Sequence, residues 1–265
     1  MSKTSENPSR ALPTTVSSSL IVRTADVPAL TEYGKYHRYL RHDFYYSCAY
    51  CTITEAEAEA IRFTIDHYEP ISARPDLEVT YTNLMYACDE CNSRKGDRYP
   101  PPAARSDGYR FFRPDADLFE DHFSAGGMTL SAKSNTGKYT ILTLSLNRKL
   151  LRRLRDLRLR LNVCDRYVSE GISALRSLKI DQLHPQMRSR AARWIKEATE
   201  INQQIIKEID DVLRAAARSS LIDDGDGKDD AHAAERQMAI KKIEGLYPGQ
   251  WRGRGQKRKN QKNKL

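Results

Sequence analysis

Nowhere does the 265-residue chain hold a run of about 18 apolar residues, the length that a membrane-crossing helix needs. The longest apolar stretch near its start, Leu20-Ile21-Val22, is too short for the core of a secretion signal. A cytoplasmic protein with no membrane partner is therefore expected. Cysteine is scarce at five residues, four of which form two C-x-x-C pairs, Cys48/Cys51 and Cys88/Cys91. Under reducing conditions such pairs favour a metal over disulfides. The fifth, Cys164, stands alone in a Leu-rich stretch, where a small buried hydrophobe is the expectation. Acid is missing from residues 252–265, which carry seven Lys or Arg, so the net charge of +9 falls to +2 (9 − 7) over the rest. Such a tail can reach phosphate through counterion release or remain solvated.

With 39% hydrophobic residues the chain can bury a sizeable core. Residues 1–19, rich in Ser, Thr and Pro, predict a flexible N-terminus. Residues 20–145 read as the main domain, with its core at 48–99. The aromatic segment Tyr33–Tyr46 predicts a helix and then a turn; Phe63–Ile65 predicts a strand ending at Asp66-His67. A second strand follows at Leu84–Ala87, then a helix from Asp89 to about Arg98, stopped by Pro100-Pro101-Pro102. Residues 109–145 predict a flanking β hairpin, with strands at Met128–Ser131 and Tyr139–Ser145 and a turn at Asn135-Thr136-Gly137. From Leu146 the spacing changes: Leu146, Leu150, Leu154, Leu157 and Leu161 recur at steps of three and four, predicting a helical domain over 146–221. An acidic linker at 222–232 and a short helix at Ala233–Leu246 lead into the basic tail, so that 233–265 forms the last part. The linker's DDGDGKDD is not a calcium loop, because the invariant glycine position holds Asp229. The expected fold class is α+β.

Cys51 and Cys88 are separated by 36 residues. Two tight turns carrying four thiolates can close a tetrahedral site, so structural Zn²⁺ is expected at Cys48, Cys51, Cys88 and Cys91. The gap exceeds the roughly 15–20 residues of a plain zinc ribbon, which means that something is inserted between the knuckles. The insert and its flanks hold Asp66-His67-Tyr68-Glu69-Pro70, Asn83-Leu84 and Cys91-Asn92-Ser93-Arg94-Lys95.

These residues resemble the HNH endonuclease family over about 48–99, with Asn92 standing where the literal motif has its last His. The same His-Asn-Asn variant occurs in the HNH domains of RNA-guided CRISPR effectors. The resemblance implies a ββα-metal nuclease core that hydrolyses phosphodiester bonds, DNA favoured over RNA. It implies His67 as general base and Asp66 and Asn92 as ligands of a catalytic metal. Asn83 would hold the loop between the strands and orient His67 through its backbone carbonyl. A carboxylate and an amide oxygen form a hard ligand pair, which suits Mg²⁺ or Mn²⁺. Arg94 and Lys95 are placed to hold substrate phosphates, although a solvated helix face accounts for them almost as well. The layout of core, hairpin and a Leu-Asn-Arg-x-x-Leu turn into helices is also similar to nucleases of bacterial anti-phage systems, such as the Septu-type subunit. That similarity implies a protein partner such as a defence-system ATPase.

Each site residue has a plainer role open to it: Asp66-His67 can cap a turn, and Asn92 can bond at a helix start. The alternative function is a non-catalytic, zinc-stabilised nucleic-acid-binding or docking module. Arg148, Lys149, Arg152, Arg153, Arg155, Arg158 and Arg160, set against the single acid Asp156, read as a nucleic-acid cradle or as the solvated face of a core helix.

Overall fold

The computed structural model describes residues 20–58, 61–177, 184–222 and 229–253. The flexible start expected for 1–19, most of the acidic linker, the tail beyond Gly253 and the side chain of Cys164 lie outside the described residues.

A 3₁₀ turn at Tyr33–Tyr36 runs into helix α1 (His37–Asp43), which buries Tyr36, Leu40 and Phe44. The chain then turns through Cys48–Cys51 into the short helix α2 (Glu55–Ala58), and a bridge between Ser47 and Thr54 closes this knuckle. Strand β1 (Phe63–His67) pairs antiparallel with β2 (Leu84–Cys88) in a register that sets Phe63 opposite Cys88 and His67 opposite Leu84. All five residues of β2 are buried, because α1 covers one face of the hairpin and α3 (Asp89–Lys95) packs on the other. Asp89 and Glu90 occupy the first turn of α3, where acid suits the helix dipole. Gly96, at φ +53°, ends the helix. Strand, loop, strand and helix thus follow the order expected from the sequence, and the mixed α+β class holds.

The region after the core departs from expectation. Helices α4 (Pro102–Ser106) and α5 (Phe119–His122) lead into a hairpin of β3 (Phe123–Gly126) and β4 (Thr129–Ala132), joined at Gly127-Met128. The stretch expected as strand Tyr139–Ser145 instead belongs to helix α6 (Asn135–Leu144). Ser134 caps α6 by accepting the Gly137 N–H at 3.1 Å, so Asn135-Thr136-Gly137 is a first helical turn and not a hairpin turn. Tyr139, Thr140, Thr143 and Leu144 are the buried side, spaced for a helix. The alternation of Tyr139, Ile141 and Thr143 mimics a strand, and tertiary packing overrides that local preference.

Helices α7 (Lys149–Ser177) and α8 (Pro185–Ile222) pack against each other, and α9 (Asp229–Leu246) packs on α6. Helix α9 begins inside the stretch expected as linker. The leucine stripe is only partly inward: Leu146 and Leu157 are buried and Leu154 is half-buried, whereas Leu150 and Leu161 are exposed. Among the described residues no helix is long and apolar enough to cross a membrane.

Candidate active site

Two knuckles bring four sulfurs together. Cys48 and Cys51 sit in the turn before α2; Cys88 ends β2 and precedes α3, and Cys91 lies on the first turn of α3, three residues on. All four are buried free thiols whose Sγ atoms lie within 4.8 Å of one another, with Cys51 and Cys88 at 3.7 Å. A disulfide needs about 2.05 Å. A tetrahedron with metal–sulfur bonds of about 2.3 Å has edges of about 3.8 Å, so the cluster fits a zinc-sized ion. Hydrogen bonds from Cys48, Cys88 and Cys91 hold the Cys51 thiol well below its ordinary range, and the Arg148 charge adds to this.

Arg148 lies against this cluster and is 6% exposed. Its guanidinium reaches Cys91 Sγ at 4.0 Å and Glu90 Oε2 at 2.8 Å. Burial works against its charge, but Cys91 and Glu90 outweigh burial and raise its pKa. The preceding Asn147 clasps β4 by accepting the Leu130 N–H and donating to the Leu130 carbonyl, both at 2.8 Å. Leu146 is buried in the core. Leu146-Asn147-Arg148 therefore joins core, hairpin and cysteine cluster at one point. Further along α7, Arg158 bonds Glu57 and the Thr52 carbonyl beside the first knuckle, and Arg155 donates to the Leu146 carbonyl. Three arginines of the supposed cradle thus dock α7 onto the core.

The pleat of β1 sends Thr64 and Asp66 toward α3 and His67 to the other side. Asn92 donates to Thr64 Oγ1 at 2.9 Å, and Lys95, one turn later, donates to Asp66 Oδ1 at 3.0 Å and to the His67 carbonyl at 2.6 Å. Asp66 and Asn92 consequently share a face of the ββα unit. Asp66 is 4% exposed, and its Oδ2 accepts from the Tyr50 hydroxyl at 2.5 Å. Burial and the Asp66 charge hold the Tyr50 phenol protonated, well above its usual range.

His67 Nε2 lies 2.8 Å from the Glu78 carbonyl, and Tyr33 meets the ring edge-on at 4.8 Å. A carbonyl only accepts, so Nε2 carries the proton and Nδ1 keeps its lone pair. Burial, reinforced by the Lys95 charge, lowers the His67 pKa and favours the neutral ring. Asn83, 4% exposed, clasps the Glu69 backbone: Oδ1 accepts its N–H at 2.9 Å and Nδ2 donates to its carbonyl at 3.0 Å. The Asn83 carbonyl accepts from the Tyr68 N–H at 2.8 Å. Asn83 thus holds the loop beside His67, while the carbonyl that bonds the ring belongs to Glu78.

Lys95 does not lie on a solvated face. It is 0% exposed, because position 95 follows Cys91 by four residues and falls on the same inward side of α3. Arg94 is half-buried and bonds Glu90 at 2.8 Å. Tyr50 and Glu78 escaped the sequence reading, which named Lys95 and Arg148 as phosphate contacts or solvated cations and missed their partners Asp66 and Glu90; only the helical offset of Lys95 from Cys91 could have signalled one of these contacts.

Residues 48–98 match the family model described as HNH endonuclease. The match spans both cysteine pairs, Asp66-His67, Asn83 and Asn92, which bears out the resemblance drawn from the motif. Over 102 residues the chain is 28% identical to the Septu protein PtuB of Bacillus thuringiensis. That alignment covers 38% of this chain and 36% of the relative, so the chain spans about a third of that protein. No solved structure matches the chain.

Proposed function

We propose that this protein is a metal-dependent HNH endonuclease that hydrolyses nucleic-acid phosphodiester bonds, DNA in preference to RNA. The observation that carries the reading is His67 at the end of β1, held through Nε2 by the Glu78 carbonyl, next to Asp66, which shares the α3-facing side of the ββα unit with Asn92. His67 accepts the proton of the attacking water at Nδ1, the ring being held through Nε2 by Glu78. Asn83 keeps the loop after His67 closed on β2.

Asp66 and Asn92 are the residues that would hold Mg²⁺ or Mn²⁺. Each Asp66 oxygen carries one hydrogen bond and keeps a second lone pair, and Asn92 Oδ1 accepts no hydrogen bond among the described residues. Two oxygen donors suit an ion that takes the rest of its shell from water and phosphate. Such an ion supplies charge neutralisation at the phosphate and at the departing 3′ oxygen. The structural ion at the four cysteines is Zn²⁺. By likeness to the Septu protein and in layout, the role is bacterial anti-phage defence, with a protein partner such as an ATPase.

The test compares the full chain with His67→Ala on plasmid in Mg²⁺. Loss of nicking with one zinc per chain retained supports the assignment. Binding without cleavage by the unaltered chain in every ion tried would favour the non-catalytic zinc-stabilised module.

A further inference from the structure

His67 is held at two points, and both lead back to one segment ahead of the ββα unit. The first point is the Glu78 carbonyl on Nε2. The second is the Tyr33 ring, edge-on to the imidazole with centroids 4.8 Å apart and planes at 78°. Tyr33 opens the 3₁₀ turn Tyr33–Tyr36, in which side chains three residues apart eclipse one another. Tyr36 is 3% exposed, packs on Tyr81 at 5.1 Å and accepts the Leu30 N–H at 2.8 Å through its hydroxyl. The buried ring of Tyr36 therefore sets where Tyr33 stands.

The Glu78 carbonyl is tied to the same segment. Tyr81 follows Glu78 by three residues, and its hydroxyl donates to Asp43 in the last turn of α1. Asp43 is buried and also accepts from the backbone N–H and the hydroxyl of Thr24. Around Glu78 the chain is tightly turned: the Thr80 N–H donates to the Leu77 carbonyl at 3.2 Å, and the Asn83 N–H to the Thr80 carbonyl at 2.8 Å. The turn before α1 thus holds Tyr33, and the end of α1 holds the loop that carries Glu78.

Two holders do what one cannot. The last torsion of a histidine is broad. A hydrogen bond at Nε2 selects which edge of the ring meets the carbonyl, but it leaves the ring plane free to swing about the bond. Packing against Tyr33 fixes that plane, and with it the direction of the Nδ1 lone pair. We infer that Tyr33–Asp43 is a positioning clamp for the general base: Tyr33 sets the plane of the imidazole, and Asp43, through Tyr81, holds the carbonyl that sets its edge. The inference rests on the nuclease reading and adds Tyr33 and Asp43, both ahead of the first cysteine, to the residues that the reaction needs. They act through His67 and not on the reacting atoms.

The test is steady-state nicking of supercoiled DNA in Mg²⁺ by the zinc-loaded full chain and its variants, with zinc content and melting measured for each. Tyr33 is exposed, so Tyr33→Ala leaves the core intact. It is expected to lower kcat about ten- to a hundredfold with KM unchanged, because a small misplacement of the base slows the chemical step and not binding. Tyr33→Phe keeps the ring and returns kcat to within about twofold of the unaltered chain. Tyr81→Phe keeps the ring on Tyr36 but releases the loop from Asp43, and lowers kcat several-fold at unchanged KM. An unchanged kcat for Tyr33→Ala, a rise in KM in its place, or no recovery in Tyr33→Phe overturns the clamp. Loss of zinc or of cooperative melting in Tyr33→Ala makes the ring a structural one and overturns it too. An unchanged kcat for Tyr81→Phe overturns the part given to Asp43. Failure of the unaltered chain to nick, or full nicking by His67→Ala run alongside, overturns the nuclease reading, and this inference with it.

Discussion

His67, Asp66 and Lys95 form a charge arrangement whose consequences can be measured. The lowered His67 pKa means that the ring is already neutral at pH 7, the form a general base requires. Cleavage should hold constant through neutral pH and fall only as the pH drops through a value below about 6.5. A pH–rate profile checks this; an acid limb at or above the ordinary histidine value contradicts it. Lys95→Met leaves the buried Asp66 carboxylate without its cation and should cost about 3–5 kcal/mol in urea unfolding, and Lys95→Met combined with Asp66→Asn should recover part of the loss. At this scale the candidate ligands and base were legible because cysteine spacing and the Asp-His pair are chemical signals. The partners of those residues were not. The Glu78 carbonyl reaches His67 from a loop whose path no sequence pattern specifies, and Lys95 looks like any surface lysine until α3 is docked on β1.

At the scale of elements, the core was legible and its surroundings less so. The hairpin β1–β2 and α3 announced themselves through short apolar runs bounded by proline and acid. Helix α6 did not, because Tyr139, Ile141 and Thr143, strand-favouring residues two apart, also read as an alternating strand. The arginines of α7 and the one just before it divide the same way: nothing in their spacing says that Arg148 meets Cys91 and Glu90, since those contacts join residues more than fifty apart. Arg148→Met should therefore weaken zinc binding about 10–100-fold and loosen α7, checked by chelator competition and by hydrogen exchange over 149–177. Cys88→Ser should lose the ion and unfold 48–99, visible as one zinc fewer per chain and loss of cooperative melting.

For the whole molecule, one point ties the parts together: Leu146-Asn147-Arg148 links core, hairpin and cysteine cluster. The central claim is that this assembly cuts nucleic acid with one ion beside His67 while a second kind of ion only holds the fold. The most direct measurement is cleavage of supercoiled DNA and structured RNA by the zinc-loaded full chain, with Mg²⁺, with Mn²⁺ and without either, alongside His67→Ala. The account predicts cutting in Mg²⁺ or Mn²⁺, DNA before RNA, no cutting without them and none by His67→Ala. Cleavage by zinc-loaded protein with no added ion, or full cleavage by His67→Ala, would contradict it.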